Sequence, residues 1–391
     1  MDTDQILNTF KNLSNLNDLV CLMNEVNLSL YPTSNPITIK NIGYYINREK
    51  LEKQGKVFYT TFSIPKKNGK ERIISSPVTA LKHYQQILNE IFKVVYKPHP
   101  NAFGFVNERS VVDNAKIHTN KKYVYNIDLK DFFPSFTKKW IYNFFLHEFD
   151  FKSSKERRNV ALAISTLVCF TDEKQSKQVL PQGAPTSPII SNMLCYKLDR
   201  RLNGLAKRFG LNYSRYADDI TFSSQHNIYK KREIFSINSL FDIELRRIIN
   251  EFQLHINETK VRLQVKGNRQ EVTGVIVNQK CNVSRKYLKE IRQLLYVWEK
   301  YGYVTANELH KNNYKKDVDN IPELKDVLYG KIQYLKMVKG DSDTTYNMFN
   351  NSFRRLYQKS NTKVVDINQL IQSMLSIGVN QALNAFDNGK N

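Results

Sequence analysis

Two adjacent carboxylates at the turn of a predicted β-hairpin constrain this chain more than any other feature. The tetrapeptide Tyr216-Ala-Asp-Asp219 stands between two short runs that favour β-strands, 214–215 and 220–223. Two unit charges about 4 Å apart repel by about 4 kcal/mol at an effective dielectric near 20. Because this repulsion destabilises a fold, we expect a hard divalent cation such as Mg²⁺ to hold the two acids together. The alternative for the tetrapeptide alone is an exposed turn, since Asp is common in turns.

A third acid lies upstream, at the end of another predicted strand. The run Tyr123-Val-Tyr-Asn-Ile127 is typical of a short, partly buried strand, and Asp128 follows it directly. Taken alone, Asp128 is better explained as a helix N-cap after the strand. Together with the adjacent acids at 218 and 219, it becomes a predicted metal ligand, because three acids can share two divalent ions.

The composition indicates a polyanionic partner. Lys and Arg number 59 against 37 Asp and Glu, a formal net charge of +22, and the sequence pI is about 9.6. Nucleic acid is the first candidate for such an excess, and a membrane surface is the alternative. The longest apolar stretch, Val160 to Phe170, is interrupted by Ser165 and Thr166 and is too short to span a membrane. We therefore expect no membrane association.

The cellular compartment is also predicted from the sequence. The four cysteines are scattered and form no CxxC pair, which fits buried thiols in a reducing cytoplasm. The first five residues lack the pattern of basic and then apolar residues that is typical of a signal peptide. We expect a cytoplasmic protein whose 391 residues are enough for two or three subdomains.

Helical and strand patterns are intermixed along the chain, which predicts an α+β fold. Residues 4–25 carry apolar side chains at helical spacing and predict one amphipathic N-terminal helix. Residues 58–74 predict a β-hairpin with a basic tip. Further helices are predicted over 79–95, from Ser187-Pro188 to near Gly210, and in the basic segment from about residue 285.

Several motifs in order resemble those of reverse transcriptases. They are the segment Asn126–Ser135, the turn-rich loop Leu180–Pro188, and Tyr216–Asp219. Two further elements narrow the resemblance to bacterial retron reverse transcriptases. Asn114-Ala-Lys-Ile-His118 is similar to their NAxxH element, and Val272-Thr-Gly274 is similar to their VTG element.

The resemblance implies a right-hand polymerase fold within the α+β class, with fingers, a palm of antiparallel sheet and helices, and a helical thumb. It covers roughly residues 50–280. The expected divisions are an N-terminal helical extension over 1–40, fingers with the start of the palm over 41–122, the palm over 123–280 with a fingers insertion at about 137–178, the thumb over 281–362, and a helical tail over 363–391.

The resemblance also implies the catalytic roles. Asp128, Asp218 and Asp219 are expected to hold two Mg²⁺ ions, with the backbone carbonyl of Leu129 as a minor ligand. Lys260 lies at the distance expected of the family's conserved lysine, and it could protonate the departing pyrophosphate as a general acid. A plain surface lysine is the alternative.

A nucleotide pocket is expected beside these acids. Phe133 resembles the aromatic residue that excludes a ribose 2′-hydroxyl, and a core aromatic is the alternative. Gln182 is expected to contact the nucleotide, and Gly183 to permit close approach of the backbone. Lys66 and Arg72 are expected to hold the triphosphate of the incoming dNTP, because cations grip phosphate. Lys67 and Lys70 compete for this role, and a solvated run of charges is the alternative for all but one or two of the four.

A further set of residues is expected to contact RNA or the primer. It comprises Asn114, His118, Val272, Thr273, Gly274, Lys286 and Arg292. For His118 we expect either a position facing RNA or a structural one, and not a metal ligand. In the basic segment after residue 285, aromatics could stack on bases or form a core. We expect Tyr296 and Trp298 to be buried.

The function implied by the resemblance is reverse transcription of a cognate structured non-coding RNA into a branched RNA–DNA molecule (msDNA). Retron enzymes prime from the 2′-hydroxyl of an internal guanosine, and they usually act with an effector protein in anti-phage defence. Two alternatives stay open. One is an RNA-binding scaffold that holds or inhibits an effector protein, and the other is a bacterial defence reverse transcriptase of a different lineage.

Overall fold

The computed structural model describes residues 2–65, 69, 71–172, 177–225, 233–314 and 321–360. The chain divides into two compact units, Met1–Thr273 and Gly274–Asn391. Helices and antiparallel strands are intermixed in the first unit, which confirms the predicted α+β class. Within these ranges no helix is both long and apolar enough to cross a membrane.

The first unit begins with a group of short helices. A single helix over 4–25 was the prediction, and it is wrong, because the chain breaks at residues 12–15. The side chain of Asn15 accepts hydrogen bonds from the backbone N–H groups of Asn17 and Asp18 and thereby starts a new helix. Both helices bury apolar faces in one core, so the apolar spacing continues across the break. The helices are α1 (Thr3–Lys11), α2 (Leu16–Leu30), α3 (Ile39–Ile46) and α4 (Arg48–Glu52).

The predicted hairpin is confirmed as β1 (Tyr59–Pro65) and β2 (Glu71–Pro77). Its register pairs Phe62 with Ile74 and Ile64 with Arg72. Lys66, which was expected to hold the triphosphate, lies outside the described residues. Two helices follow, α5 (Thr79–Val95) and α6 (Val111–Lys116).

A four-stranded antiparallel sheet forms the centre of the first unit. Its strand order is β6-β7-β3-β8, with β3 (Tyr123–Asp128), β6 (Asn212–Tyr216), β7 (Asp219–Ser224) and β8 (Arg262–Val265). Because side chains alternate along a strand, the sheet has one largely apolar face and one largely polar face. Tyr125, Ile127, Tyr213 and Phe222 lie on the buried apolar face. The opposite face carries Asn126, Asp128 and Asp219, so the period-two pattern places the acids away from the core.

Helices cover the apolar face of the sheet. Helix α9 (Ser187–Arg208) contacts β6, and α10 (Leu240–Glu251) contacts α9. Most of the remaining elements of this unit lie between β3 and α9 along the chain. They are α7 (Lys138–Glu148), α8 (Lys155–Val168), β4 (Phe170–Asp172) and β5 (Lys177–Val179), and the unit ends at the short strand β9 (Glu271–Val272).

The second unit is largely helical. Its described elements are β10 (Val275–Ile276), α11 (Arg285–Tyr301), α12 (Tyr303–Asn312), α13 (Leu324–Lys339) and α14 (Thr344–Ser360). Trp298 is buried, as predicted, but the prediction for Tyr296 is wrong, since that residue is 55% exposed. Tyr296 lies one turn after Arg292, on the polar face of α11, whereas Ile291 and Leu295 face the core. The predicted helical tail over 363–391 lies outside the described residues, and the predicted domain boundaries stay predictions.

Candidate active site

The three predicted acids meet at one end of the central sheet. Asp128, the last residue of β3, is paired directly with Asp219, the first residue of β7. Asp218 lies in the two-residue turn between β6 and β7, because Tyr216 pairs with Asp219 across that turn. The backbone N–H of Leu129 donates to the carbonyl of Asp218 at 2.9 Å, which ties the two strand ends together. Acids that are 90 residues apart in sequence are therefore neighbours.

This proximity changes the protonation of the acids. Burial, and then the charges of Asp218 and Asp128, raise the pKa of Asp219 to about 7. Burial, and then the charge of Asp128, also raise the pKa of Asp218. The repulsion inferred from the sequence is thus present in the fold, and positive charge is needed to relieve it.

Lys260 supplies part of that positive charge. Its Nζ lies 2.8 Å and 2.9 Å from the two carboxylate oxygens of Asp128, and the Nδ2 of Asn257 donates to the same carboxylate at 3.2 Å. A cation that binds Asp128 must compete with Lys260 for these oxygens. In the described part of the chain, no group of three or more Asp, Glu, His or Cys side chains is arranged so that it could hold a metal ion. The structure therefore pairs the exposed Lys260 with Asp128, while its role as a general acid stays a prediction.

A buried ion pair, which the sequence reasoning missed, supports the turn. Arg215 and Asp199 are both fully buried, and Nε and Nη2 of Arg215 each donate to the carboxylate of Asp199 at 2.7 Å. Nη1 of Arg215 donates to the carbonyl of Ala217 at 3.1 Å. Ala217 has a φ of 57°, a left-handed conformation that costs about 1–2 kcal/mol for an L-residue. The available signal was a charged residue, Arg215, at a core-facing position of a strand.

A second element that the sequence reasoning missed is the backbone of residues 103 and 104, which runs beside the turn. The backbone N–H of Phe103 donates to the carbonyl of Arg215 at 2.8 Å, and Asn192 donates to the carbonyl of Gly104 at 2.8 Å. A Cβ atom on Gly104 would lie 2.5 Å from the backbone nitrogen of Ala217. Only glycine leaves room for this contact, so Gly104 fixes the distance between the segment and the turn.

Two residues of the predicted nucleotide pocket, Phe133 and Arg72, lie in the described part of the first unit. Phe133 is half-buried, and its ring centroid lies 5.4 Å from that of the buried Phe132. Arg72 is exposed, and its positive charge acts to lower the pKa of Asp218, against the larger effects of burial and of Asp128. The roles of Phe133 and Arg72 in a nucleotide pocket stay predictions.

The loop that carries Gln182 and Gly183 packs on the hairpin. The backbone N–H of Ser75 donates to the carbonyl of Gln182 at 2.8 Å. Gly183 has a φ of 132°, and a Cβ atom there would lie 2.8 Å from Cγ2 of Ile74. The close approach that requires glycine is therefore an approach to β2. The predicted approach to substrate stays a prediction.

The NAxxH and VTG elements contact each other through Asn114 and Thr273. Nδ2 of Asn114 donates to the hydroxyl of Thr273 at 3.3 Å, and Val272 is fully buried. The ring of His118 is fully buried between Ser223 and Ser214, with nitrogen-to-oxygen distances of 2.7 Å and 2.8 Å. Of the two alternatives for His118, this position fits the structural one. Contacts with RNA stay predictions for this set, which includes the exposed Gly274.

Helix α11 of the second unit presents a basic surface. Lys286 and Arg292 are both exposed, as expected of side chains that contact nucleic acid. A groove of about 620 Å³ runs along the helix. It is lined by Arg285, Leu288, Lys289, Arg292, Gln293 and Tyr296.

Comparisons with known proteins agree with these motifs. The family described as reverse transcriptase (RNA-dependent DNA polymerase) matches residues 64–288, more than half of the chain. The retron Ec86 reverse transcriptase of Escherichia coli is 33% identical over 238 residues, which are 60% of this chain and 68% of that protein. The chain belongs to the retron reverse transcriptases. The membership confirms the predicted family and fits the right-hand polymerase fold.

Two other retron reverse transcriptases come from Myxococcus xanthus. The retron Mx65 enzyme is 32% identical over 264 residues, which are 64% of this chain and 58% of that protein. The retron Mx162 enzyme is 34% identical over 240 residues, which are 56% of this chain and 47% of that protein. The chain thus spans about half the length of these two curated relatives.

We predict that Gly104→Ala destabilises this reverse transcriptase. The added methyl group would meet the backbone at Ala217, so the segment or the turn must shift. Overpacking of this kind should lower the free energy of unfolding by about 1–3 kcal/mol, measured by urea denaturation. The matched control is Gly204→Ala, on α9, where a Cβ atom would meet nothing within 4 Å. It should leave stability unchanged or raise it by up to about 1 kcal/mol. Equal effects of the two substitutions would contradict the close contact.

A second prediction concerns the pH dependence of stability. Burial, and then the charge of Lys121, lower the pKa of His118 to about 3, below the ordinary value of 6.5. As pH falls below 6.5, the unfolded chain gains a proton there that the folded chain does not accept. His118 therefore stabilises the fold above pH 6.5, and this stabilisation decreases as pH falls towards 3.

The test compares the wild type with His118→Gln, whose side chain can still donate and accept hydrogen bonds. The difference in unfolding free energy should shrink by up to about 1.4 kcal/mol per pH unit between pH 6.5 and 4.5. The exposed His147→Gln is the control, and its difference from the wild type should stay constant. Parallel pH profiles for the wild type and His118→Gln would show that residue 118 does not carry this linkage.

Proposed function

We propose that this protein is an RNA-directed DNA polymerase. The observation that carries the proposal is the pairing of Asp128 with Asp219 at the end of the sheet, with Asp218 in the adjoining turn. Membership of the reverse transcriptase family supports the same activity. In such an enzyme, a primer hydroxyl attacks the α-phosphorus of a dNTP, and precise positioning of the two reactants provides much of the catalysis.

The acids fit divalent magnesium by their chemistry. Carboxylates and a peptide carbonyl are hard oxygen ligands of the kind that Mg²⁺ prefers, and Mg²⁺ sites often combine one or two carboxylates with substrate phosphates. We propose that Asp128, Asp218 and Asp219 hold two such ions, with the carbonyl of Leu129 as a minor ligand. Bound there, the ions would stabilise the attacking and leaving oxygens.

The remaining side chains position the substrate. We propose that Arg72 grips the triphosphate of the dNTP, since its planar guanidinium matches phosphate geometry. Phe133 faces the sugar and excludes a ribose 2′-hydroxyl, and Gln182 contacts the nucleotide. Lys260 neutralises Asp128 before substrate binds and is within reach of the site as a general acid for the departing pyrophosphate.

The finer proposal concerns template and product. The net charge of +22 and the exposed cations of α11 support a structured RNA as partner. The relatives carry the name retron, which supports a cognate non-coding RNA and a branched msDNA product primed from a guanosine 2′-hydroxyl. We further propose a role in anti-phage defence with an effector protein.

A scaffold that binds RNA without synthesising DNA is the second candidate. The observation in its favour is that both oxygens of Asp128 are engaged by Lys260. The convergence of Asp128, Asp218 and Asp219 at one end of the sheet argues against it, because acids that repel one another destabilise a fold and are expected where they serve a function.

We predict that Asp219→Asn abolishes DNA synthesis while RNA binding persists. Loss of one metal-binding carboxylate should reduce primer extension more than about 100-fold, since such electrostatic stabilisation amounts to several kcal/mol. The control is Asp131→Asn, an exposed acid three residues after Asp128. Its φ of 46° suits Asn as well as Asp, so activity should stay near the wild-type level. DNA output from Asp219→Asn that equals the wild type would refute the polymerase proposal. No output from any variant, with tight RNA binding, would favour the scaffold.

The branched product is tested on nucleic acid extracted with the purified protein. We expect an RNA–DNA hybrid whose RNA and DNA parts separate after treatment with a debranching enzyme, because a 2′–5′ linkage would join them. Asp219→Asn protein should yield RNA without attached DNA. DNA that is free of RNA before debranching would support a reverse transcriptase of another lineage.

A further inference from the structure

Phe105 combines two features that each disfavour a large aromatic residue. Its φ is 61°, in the left-handed region that Gly, Asn and Asp occupy most readily. Its side chain is also 46% exposed, so it gains little from burial. Strained conformations of this kind cluster at functional sites, where the surrounding structure enforces them. A role other than core packing is therefore needed to explain the ring.

The ring of Phe105 lies against Phe133. Their centroids are 6.1 Å apart with an interplanar angle of 41°, within the range of favourable aromatic pairs. Phe133 also contacts the buried ring of Phe132, at 5.4 Å between centroids. Phe133 thus packs against both a ring anchored in the core and a ring presented by a loop.

That loop is rigidly connected to the acids. Gly104, the residue before Phe105, packs on the backbone of the turn that carries Asp218, and its carbonyl accepts a hydrogen bond from Asn192. The backbone N–H of Phe103, the residue before Gly104, donates a hydrogen bond to the carbonyl of Arg215. The position of the Phe105 ring is therefore fixed relative to the turn.

We propose that Phe105 is a positioning residue for sugar selection. By holding the ring of Phe133 in place, it prevents that ring from yielding to a ribose 2′-hydroxyl. The inference rests on the proposed polymerase function and on the role proposed for Phe133. Because an aromatic pair contributes about 0.5–1.5 kcal/mol, loss of the Phe105 ring should weaken discrimination against ribonucleotides by about 2- to 10-fold.

The experiment measures kcat/KM for single insertion of a dNTP and of the matching rNTP. Phe105→Ala removes the ring. Phe105→Gly removes both the ring and the backbone strain, so we expect the glycine variant to fold even if the alanine variant does not. Both should raise the rNTP-to-dNTP ratio, whereas Phe105→Tyr should keep the wild-type ratio because it retains the ring. Leu162→Ala, an exposed apolar change on α8, should also keep it.

A double substitution tests whether Phe105 acts through Phe133. In a Phe133→Ala background, Phe105→Ala should cause no further loss of discrimination, because the residue that it positions is gone. An unchanged ratio in Phe105→Ala and Phe105→Gly, with dNTP insertion intact, would overturn this inference alone. Additive losses in the double variant would also overturn it. A wild-type protein that inserts no nucleotide would refute the proposed function and this inference with it.

Discussion

The buried ion pair between Arg215 and Asp199 is the interaction on which the candidate active site depends. Both groups are removed from water. Burying such a pair destabilises a fold unless further hydrogen bonds satisfy its remaining donors and acceptors. Here the hydroxyl of Tyr213 donates to Asp199 at 2.6 Å, and Asn192 accepts from Arg215 at 3.0 Å. Nη1 of Arg215 donates to the carbonyl of Ala217, the strained residue of the turn. Removal of either partner would leave an unpaired buried charge, at a cost of about 3–5 kcal/mol.

The turn brings together groups that repel one another. Asp218 and Asp219 are adjacent in sequence, and Asp128 is added by strand pairing, so three negative charges meet within a partly buried region. The fold compensates with Lys260 on one side and with the charge of Arg72 on another. An end of a sheet that concentrates acids in this way is suited to bind cations and phosphates together, which is the requirement of nucleotidyl transfer.

The two elements that narrow the family to retrons are largely internal. Asn114 and His118 lie inside the protein, and Thr273 is hydrogen-bonded to Asn114. His118 links β6 to β7 through Ser214 and Ser223, on the polar face that also carries Asp219. Contacts inside the fold therefore explain the positions of Asn114 and His118.

The sequence by itself determined the elements whose signals are local. Turn chemistry and period-two alternation placed Asp128 at a strand end and Asp218 and Asp219 at a hairpin turn, and motif order identified the family. Local signals failed where one pattern fits two structures. Apolar spacing over 4–25 fits one helix or two helices separated before Leu16, and an aromatic residue such as Tyr296 on α11 fits either a core or a surface position. Only the tertiary structure decided the partners of Arg215 and the contact between Phe105 and Phe133. Those contacts join segments far apart along the chain, and no local pattern specifies which distant side chains will meet.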